Sequence, residues 1–479
     1  MSVVEKTLPA AEPPQAPEVP VRPGRRVNWF AAFWRWHFYG ALLVIPVLLV
    51  LAITGLTYLY RAQVDDWTHP GVLTVAVPPG AERLPLAQQE AAVRAAYPDR
   101  TIVSLTDNTG DRTTVFVTGS APDSRNVYVD PYRAQVTGDL APDQLVSDWA
   151  ERIHGTLLIG DVGDRIVELG ACWAIVLTVT GLFIFFLGRR PRRGATAKGH
   201  RGARLRGAHA VIGLPVGLGL LLLVVSGLPW TGLWGAQAQQ LAATGHSSLW
   251  GDDPGAESKL GPLIEATDGK SGPAGWAVAN GPTGTSTGSA GHPISIDRAV
   301  AVARAAGAPG PYKVIYPVDA TGVYSVFGGQ WSNNGNPAES DVSKELTIHV
   351  DQYSGQVVGT YAYADYSALA KTVSQGIALH EGRRFGPVNT MLTTLFCLAV
   401  IFLCLSAPIM WWTRRGTASG VAAPRARLPI LGSRILLVAL VALGIFLPMF
   451  GLSLIVILAL DQLLIRRVPA LAKFFGSVG

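Results

Sequence analysis

The stretch HFYGALLVIPVLLVLAITGLTYLY, residues 37–60, is nearly all apolar and long enough to cross a lipid bilayer as one helix. A second stretch, HAVIGLPVGLGLLLLVVSGLPWTGLW, occupies residues 209–234. Each begins with a histidine, and a hydroxyl–glycine pair follows 17 residues later, Thr54-Gly55 (54 − 37) and Ser226-Gly227 (226 − 209). The two stretches are therefore interpreted as membrane spans related by an internal repeat.

The composition of the whole chain agrees with a membrane protein. Of its 479 residues, 49% are hydrophobic and only 15% are charged, against about 25% charged in an ordinary soluble domain. The mean hydropathy is +0.30, which excludes a purely soluble, a disordered or a disulfide-stapled protein. All three cysteines, Cys172, Cys397 and Cys404, fall in apolar runs, and we expect them to pack as small hydrophobic side chains.

Six apolar runs are predicted to span the membrane. They are Phe38–Tyr60, Ile166–Leu187, Ala210–Trp234, Val388–Trp412, Leu431–Leu447 and Phe450–Ile465. The last two are predicted to form a hairpin that turns near Pro448.

The positive charges predict the orientation of these spans. The net charge of +6 arises from basic clusters beside the apolar runs, so it indicates topology and not nucleic-acid binding. The clusters precede the first span, join the second to the third, and follow the fourth and the sixth. If the spans alternate, both termini are cytoplasmic, and the polar blocks 61–150 and 235–375 lie outside the cytoplasm.

Each polar block is predicted to be a small α+β unit. The expected helices are Pro85–Tyr97 and Ile296–Ala306, and the expected strands are Thr101–Leu105, Thr113–Thr118, Asn126–Val129, Tyr312–Tyr316, Val323–Phe327 and Glu345–Val350. The stretch Gly261–His292 is dense in Gly, Ser, Thr and Pro, which indicates an irregular insertion.

The blocks also repeat. Both contain the pattern Val-Asp-x-Tyr-x-x-Gln-Val-x-Gly, at residues 129–138 and 350–359, which suits two strands joined by a turn. The predicted fold is thus an α-helical polytopic membrane protein with about six spans and two extracytoplasmic α+β domains. It is a tandem duplication of span, domain and span, followed by a hairpin.

Four of the nine histidines occupy matching positions in the two repeats. His37 and His209 begin spans that leave the cytoplasm, whereas His154 and His380 precede spans that start outside. The apolar slab is about 30 Å thick, so ligation across it is impossible. The candidate ligand pairs are therefore His37 with His209 at the inner edge, and His154 with His380 at the outer edge.

Two imidazoles with no nearby Cys, Asp or Glu make a poor zinc site, since zinc prefers three or four protein ligands. Two axial imidazoles do suit a low-spin b-type haem, in which the porphyrin supplies four further nitrogens. The chain has no CxxCH motif, so covalent c-type attachment is excluded. We therefore predict two bis-histidine haems b, and helix packing remains an alternative reason for glycines such as Gly55 and Gly227 in the spans.

The outer pair requires a break in the chain. His154 lies 12 residues before Ile166, about 18 Å along a continuous helix. A break at residues 160–163, and another at Gly386-Pro387, would make Gln144–Leu158 and Tyr366–Leu379 interfacial helices. The neighbouring cations are candidates for the haem propionates, with simple interfacial anchoring as the alternative: Arg152, Arg165, Arg383 and Arg384.

These motifs resemble the PepSY-associated transmembrane family. The resemblance rests on Arg35-Trp36-His37, on IHGTLLIG at residues 153–160, on the two Val-Asp-x-Tyr hairpins, and on Leu379-His380-Glu-Gly, and it covers roughly residues 27–415. It implies a haem-bearing bacterial inner-membrane protein with extracytoplasmic PepSY domains, similar to siderophore-iron reductases. The Gly/Ser-rich insertion and the C-terminal hairpin depart from the family pattern.

The resulting division of the chain follows the repeat. It comprises a disordered tail (1–26), a span (27–61), a first PepSY-like domain (62–143), an interfacial helix with a span (144–188), a basic loop (189–207), a span (208–234), a second PepSY-like domain with the insertion (235–365), an interfacial helix with a span (366–413), a loop (414–429), the hairpin (430–467) and a cytoplasmic tail (468–479).

The leading functional hypothesis is a transmembrane oxidoreductase that passes electrons outward to a ferric siderophore. No nucleotide-binding fingerprint is present, so the donor is expected to be a separate cytoplasmic reductase or a membrane quinol. The alternatives are a membrane-tethered PepSY binding or regulatory protein, and a transporter. Aromatic residues are expected at the outer surface, where they would form an interfacial belt or an acceptor site: Trp67, Trp149, Trp230, Trp234, Trp250 and Tyr363.

Overall fold

A computed structural model describes residues 28–119, 123–188, 202–244, 258–259, 282–287, 291–329, 341–415, 420–421 and 433–475. Its helices are α1 (Trp29–Leu59), α2 (Arg61–Thr68), α3 (Leu86–Ala96), α4 (Val146–Thr156), α5 (Gly160–Leu187), α6 (Ala203–Gly227), α7 (Trp234–Thr244), α8 (Ile296–Ala305), α9 (Ala368–His380), α10 (Pro387–Arg415), α11 (Arg434–Phe446), α12 (Pro448–Leu460) and α13 (Pro469–Phe474). The predicted tail, most of the basic loop, most of the insertion and Trp250 lie outside the described residues.

Five helical segments are long and apolar enough to cross a membrane. They are Trp29–Leu59, Gly160–Leu187, Ala203–Trp230, Pro387–Arg415 and Pro448–Ile465. The predicted fifth run is a shorter apolar helix, α11, and the hairpin turns at Pro448 as predicted. The first three spans begin earlier than their apolar runs because the helices continue into the preceding residues. Helix α1, for example, includes the aromatic residues from Trp29 onward and starts where the Asn28 side chain accepts a hydrogen bond from the Ala31 N–H.

The spans pack around a shared apolar core. Val44 of α1, Val216 of α6 and Phe450 of α12 are among its buried side chains. All three cysteines are buried and free, as the sequence predicted. The hairpin is joined to this core by a polar contact as well, because the Trp173 indole N–H donates to Ser453 Oγ at 2.9 Å.

Eight of the ten described strands form one antiparallel sheet. Its members are β1 (Ile102–Asp107), β2 (Thr114–Thr118), β3 (Arg125–Asp130), β4 (Gln135–Leu140), β7 (Tyr312–Ile315), β8 (Val323–Gly328), β9 (Leu346–Asp351) and β10 (Val357–Ala362), while β5 (Ser258–Lys259) and β6 (Pro282–Thr283) form a separate two-stranded piece. Six of the eight match predicted strands. The other two, β4 and β10, complete the hairpins that the repeated pattern predicted.

The sheet joins the two halves of the chain. Its strand order is β10-β9-β8-β7-β1-β2-β3-β4, so β1 of the first half pairs with β7 of the second. The sequence predicted two separate α+β units, and the structure corrects this expectation to one continuous sheet. The physical reason is that β1 and β7 are each an edge strand of a four-stranded meander, with unpaired N–H and C=O groups. Pairing β1 with β7 satisfies the hydrogen bonds of both strands at once.

Helices α3 and α8 lie on one face of this sheet. Their apolar sides, which include Val93 and Val300, pack with residues of both halves of the sheet such as Phe116, Val314 and Ile348. The two helices are also tied to each other, since the Asp297 carboxylate accepts hydrogen bonds from the N–H groups of Leu86 and Ala87 at the start of α3. The two halves thus share one hydrophobic core.

We predict that Leu105→Ala destabilises the sheet as a whole. Leu105 is fully buried and pairs with Val314 across the junction of the halves, and Leu-to-Ala changes in cores cost about 2–5 kcal/mol. Thermal unfolding of the detergent-purified protein, followed by circular dichroism, should show a lower midpoint. Val77→Ala, at a side chain 47% exposed, is the matched control. An unchanged midpoint for Leu105→Ala would contradict a shared core.

Candidate functional site

The four repeated histidines lie at the two ends of the helix bundle. We call the end next to the sheet the sheet end, and the opposite one the far end. His37 and His209 lie in the far-end parts of α1 and α6, whereas His154 lies in α4 and His380 ends α9, both at the sheet end. The pairing expected from depth thus corresponds to positions at the same end of the bundle.

The chain is interrupted after both histidines, as the outer pair requires. The first break lies at residues 157–159 and not at 160–163 as predicted, because α5 already begins at Gly160. Between α4 and α5 the backbone turns through Leu157, Leu158 and Gly160, which have φ values of 49°, 62° and 59°. Gly163 makes this corner possible, because a Cβ atom there would collide with the Thr156 carbonyl. In the second half α9 ends at His380 and α10 begins at Pro387. Each short helix therefore delivers its histidine to the start of a span.

His154 and His380 lie close together. Their ring centroids are 6.2 Å apart, and the ring planes are nearly perpendicular, at 83°. His37 and His209 both lie at the opposite end of the bundle, in α1 and α6. The structure thus places His154 close to His380 and places His37 at the same end as His209, with one histidine of each pair from each half of the chain.

Each imidazole has its Nδ1 next to a hydroxyl on another helix. The Nδ1-to-oxygen distances are 3.3 Å for His37 and Thr180, 3.0 Å for His154 and Thr54, 2.8 Å for His209 and Ser406, and 3.1 Å for His380 and Ser226. His37 and His380 also lie 2.9 and 3.1 Å from the carbonyls of Leu177 and Leu223. The sequence analysis used Thr54 and Ser226 only as markers of the repeat, so their role as histidine partners was missed.

The hydroxyls determine which ring nitrogen carries the proton. All four donate their own hydrogen to a backbone carbonyl of their helix: Thr54 to Val50, Thr180 to Val176, Ser226 to Leu223 and Ser406 to Leu403. Their oxygens are therefore acceptors toward the histidines, and Nδ1–H is the donor. A neutral imidazole protonated at Nδ1 has its lone pair on Nε2, the state required of a metal ligand.

Small residues beside the hydroxyls make room for the rings. A Cβ atom on Gly55 would lie 3.3 Å from His154, one on Gly227 would lie 3.3 Å from His380, and one on Gly181 would lie 3.0 Å from His37. Other glycines in the spans serve helix packing, since a Cβ atom on Gly219 would lie only 2.8 Å from the Phe396 ring. Both explanations weighed for these glycines therefore apply, at different positions.

The predicted propionate partners have protein partners of their own. Arg152 lies 3.3 Å from Asp143 and stacks over Trp149, and the Arg384 guanidinium lies over Phe385. Arg383 is buried and its Nε donates to Glu381 at 2.6 Å, directly after His380 in the chain. Of the three, Arg383 is therefore the cation built into the surroundings of the sheet-end pair.

A buried charge cluster at the sheet end was missed by the sequence analysis. Arg61 is fully buried, donates to the Tyr58 carbonyl at 2.9 Å and interacts with Glu381 and Arg383. Glu345 is buried beside Arg383 and accepts a hydrogen bond from the Tyr366 hydroxyl at 3.1 Å. These residues are scattered along the chain, so no local spacing could have identified them.

We predict that Ser406→Ala weakens haem binding at the far-end pair. The variant removes the hydroxyl that accepts from His209 Nδ1–H, and loss of such a partner lowers metal affinity about 10- to 100-fold. Haem retention during dialysis against apomyoglobin measures the effect. Ser406→Thr keeps a hydroxyl, as at Thr54 and Thr180, and should retain haem. Equal retention in Ser406→Ala and the parent protein would show that the hydroxyl plays no part.

We predict that Glu345→Gln removes part of the pH dependence of stability. Burial raises the pKa of the Glu345 carboxyl from 4.5 to about 7. The folded protein then binds this proton more tightly than the unfolded chain, so the contribution to stability falls as pH rises from 4.5 to 7. When the pH is raised from 5 to 8, the free energy of unfolding of the parent should fall by up to about 3 kcal/mol more than that of the variant. Thermal midpoints at both pH values test this, and parallel changes in the two proteins would contradict it.

The family profile described as the PepSY-associated TM region matches residues 34–414, which span both histidine pairs, the spans that carry them and the whole sheet. A comparison with curated protein sequences finds no significant match. The profile covers well over half of the chain and agrees with the resemblance found in the sequence. The chain belongs to the PepSY-associated transmembrane family.

Proposed function

We propose that this protein is a haem-carrying membrane oxidoreductase that passes electrons from the cytoplasmic side to an extracytoplasmic ferric siderophore. The observation that carries the proposal is the geometry around the four imidazoles. Each Nδ1 lies 2.8–3.3 Å from a hydroxyl oxygen on another helix. Because these hydroxyls give their own hydrogens to backbone carbonyls, we assign the proton to Nδ1, which leaves the four Nε2 lone pairs for metal ligation. A protein that only tethers two binding domains to a membrane needs no such imidazoles.

The donor set at the sheet end fits a bis-histidine haem. Two metal–imidazole bonds of about 2 Å each, plus the distance from each ring centre to its nitrogen, add up to a centroid separation close to the observed 6.2 Å. His154 and His380 would hold one haem and His37 and His209 the other. When bound, haem supplies one-electron chemistry at an iron whose potential depends on its ligands and burial.

The proposed topology places these pairs on opposite membrane faces. The far end of the bundle carries the basic residues Arg414 and Arg415 at the end of α10, and lysine and arginine are enriched in cytoplasmic flanks. We therefore assign His37 and His209 to the cytoplasmic face of a bacterial inner membrane, and the sheet with His154 and His380 to the outside. The assignment implies six spans, with the α11–α12 hairpin accounting for two.

The residues of the chain then have defined tasks. Thr180 and Ser406 fix the inner imidazoles, and Thr54 and Ser226 fix the outer ones. Apolar side chains such as Val44 and Val216 fill the space among the helices and exclude water from it. A one-electron transfer requires no proton-donating side chain. The electron donor can be a separate cytoplasmic reductase or a membrane quinol.

We predict two non-covalent haems b per chain, removable in two independent steps. His154→Ala or His380→Ala should remove the outer haem and leave the inner one, and His37→Ala or His209→Ala should do the converse. The reason is that each iron depends on its own pair. Pyridine haemochrome assays and visible spectra of protein purified with ample haem measure both. His292→Ala, at an exposed histidine, is the control.

Two outcomes would contradict the proposal. A parent protein with no Soret band after expression with added haem would exclude haem at either pair. Loss of both haems from each single histidine variant, in protein that remains folded by circular dichroism, would exclude two separate bis-histidine sites.

A further inference from the structure

The His380 ring is covered on one side by an indole. The centroids of Trp230 and His380 are 6.4 Å apart and the two planes are inclined by 29°. Trp230 lies four residues after Ser226, whose oxygen accepts from His380 Nδ1–H. One turn at the end of α6 therefore supplies both the hydrogen-bond acceptor and the stacked ring. Trp230 remains 37% exposed, so it connects the ligand pair with the surface of the protein.

The loop that carries Trp230 is held by carboxylates from the other half of the chain. Asp164 accepts from the Gly232 N–H at 3.0 Å, and Glu168 accepts from the N–H groups of Leu233 and Trp234 at 3.1 and 3.2 Å. Glu168 is completely buried. Buried carboxylates at the start of a span are costly unless they are hydrogen-bonded, and they usually serve a function.

This clamp has further supports. Arg165 lies 3.1 Å from Asp164 and 3.4 Å from Glu168, so it balances their charge. The Trp234 indole N–H donates to the Phe446 carbonyl at 2.9 Å, where α11 ends. The loop 228–234 is thus fixed from two sides, by α5 and by the C-terminal hairpin.

The charged clamp of Asp164, Arg165 and Glu168 is not repeated at the matching positions of the second half. Positions that match Asp164, Arg165 and Glu168 in the second half (380 − 154 = 226 residues later) are Thr390, Met391 and Thr394, which carry no charge.

The position that matches Trp230 in the first half (209 − 37 = 172 residues earlier) is Tyr58. The guanidinium of the fully buried Arg61 lies 4.7 Å from the centre of the Tyr58 ring. Of these two matching aromatic residues, Trp230 is thus the one held by a clamp on a path to the surface.

We propose that Trp230 is the residue through which the outer haem meets its ferric acceptor, and that Asp164 and Glu168 are positioning residues for it. This inference rests on the proposed function. One electron leaves the reduced outer site and converts one chelated Fe(III) to Fe(II), and no bond forms or breaks. Trp230 is unchanged at the end, because it provides only contact and a short path between His380 and the chelate.

The test uses the full-length protein carrying both haems. Dithionite-reduced protein is mixed in a stopped-flow instrument with ferric desferrioxamine, and haem reoxidation is recorded. Trp230→Ala should slow reoxidation about tenfold, the size of one lost aromatic contact, and Trp230→Phe should restore most of the rate. Asp164→Ala should slow reoxidation as well. Trp412→Ala, at an aromatic residue 69% exposed near the far end of the bundle, should leave the rate unchanged.

Two further readouts separate contact from other effects. The midpoint potential of the outer haem should be the same in Trp230→Ala and the parent, so that a slower rate reflects lost contact and not a lost driving force. Binding of gallium desferrioxamine, which cannot be reduced, should weaken about tenfold in Trp230→Ala by isothermal titration calorimetry.

The possible failures are distinguishable. Reoxidation of Trp230→Ala at the parental rate, with both haems bound, overturns the role of Trp230 and leaves the proposed function intact. A slower rate with a shifted potential also overturns it, since Trp230 would then act on the iron. A parent protein that binds both haems but is not reoxidised by ferric desferrioxamine overturns this acceptor and the inference with it.

Discussion

An imidazole that lies among apolar helices must place its Nδ1 proton on an acceptor nearby, because water is not available to take it. In this protein each acceptor is a hydroxyl on a different helix from the imidazole. His37 of α1 uses Thr180 of α5, and Thr54 of α1 serves His154 of α4. The contacts therefore run in both directions between the elements of one half. The second half repeats these contacts, with His209 of α6 next to Ser406 of α10 and Ser226 of α6 next to His380 of α9. The glycines beside the hydroxyls leave space for the rings.

The two halves share this frame and differ in the charges around it. At the sheet end the first half contributes Asp164 and Glu168, whose carboxylates hold a loop of the second half. The second half contributes Glu381 and Arg383, which interact electrostatically with the buried Arg61 of the first half. A duplicated architecture has thus acquired different environments for His154 and His380. The asymmetry places a partly exposed indole, that of Trp230, beside His380.

Much of this organisation could be predicted from the sequence. Spans, strands and chain breaks follow from local hydropathy, periodicity and glycine placement, and the repeat aligned the four histidines before any contact was known. The pairing of β1 with β7 could not be predicted, because strands about 200 residues apart carry no local signal for their partner. The cluster of Arg61 with Glu381 and Arg383 was missed for the same reason. The hydroxyls were visible as repeated residues, but their chemical task depends on which helices face each other.

The continuous sheet has a consequence for biosynthesis. Strand β1 is complete when the first half has left the ribosome, yet its partner β7 is encoded about 200 residues later. At an elongation rate of about 5–20 residues per second, the edge at residues 102–107 stays unpaired for about ten seconds or more. During that interval the β1 edges of two nascent chains could pair with each other, or β1 of one chain could pair with β7 of another, which is the geometry of a domain-swapped dimer. Expression yield should therefore depend on how quickly the second half is translated, and slow codons between the halves should favour swapped or aggregated chains.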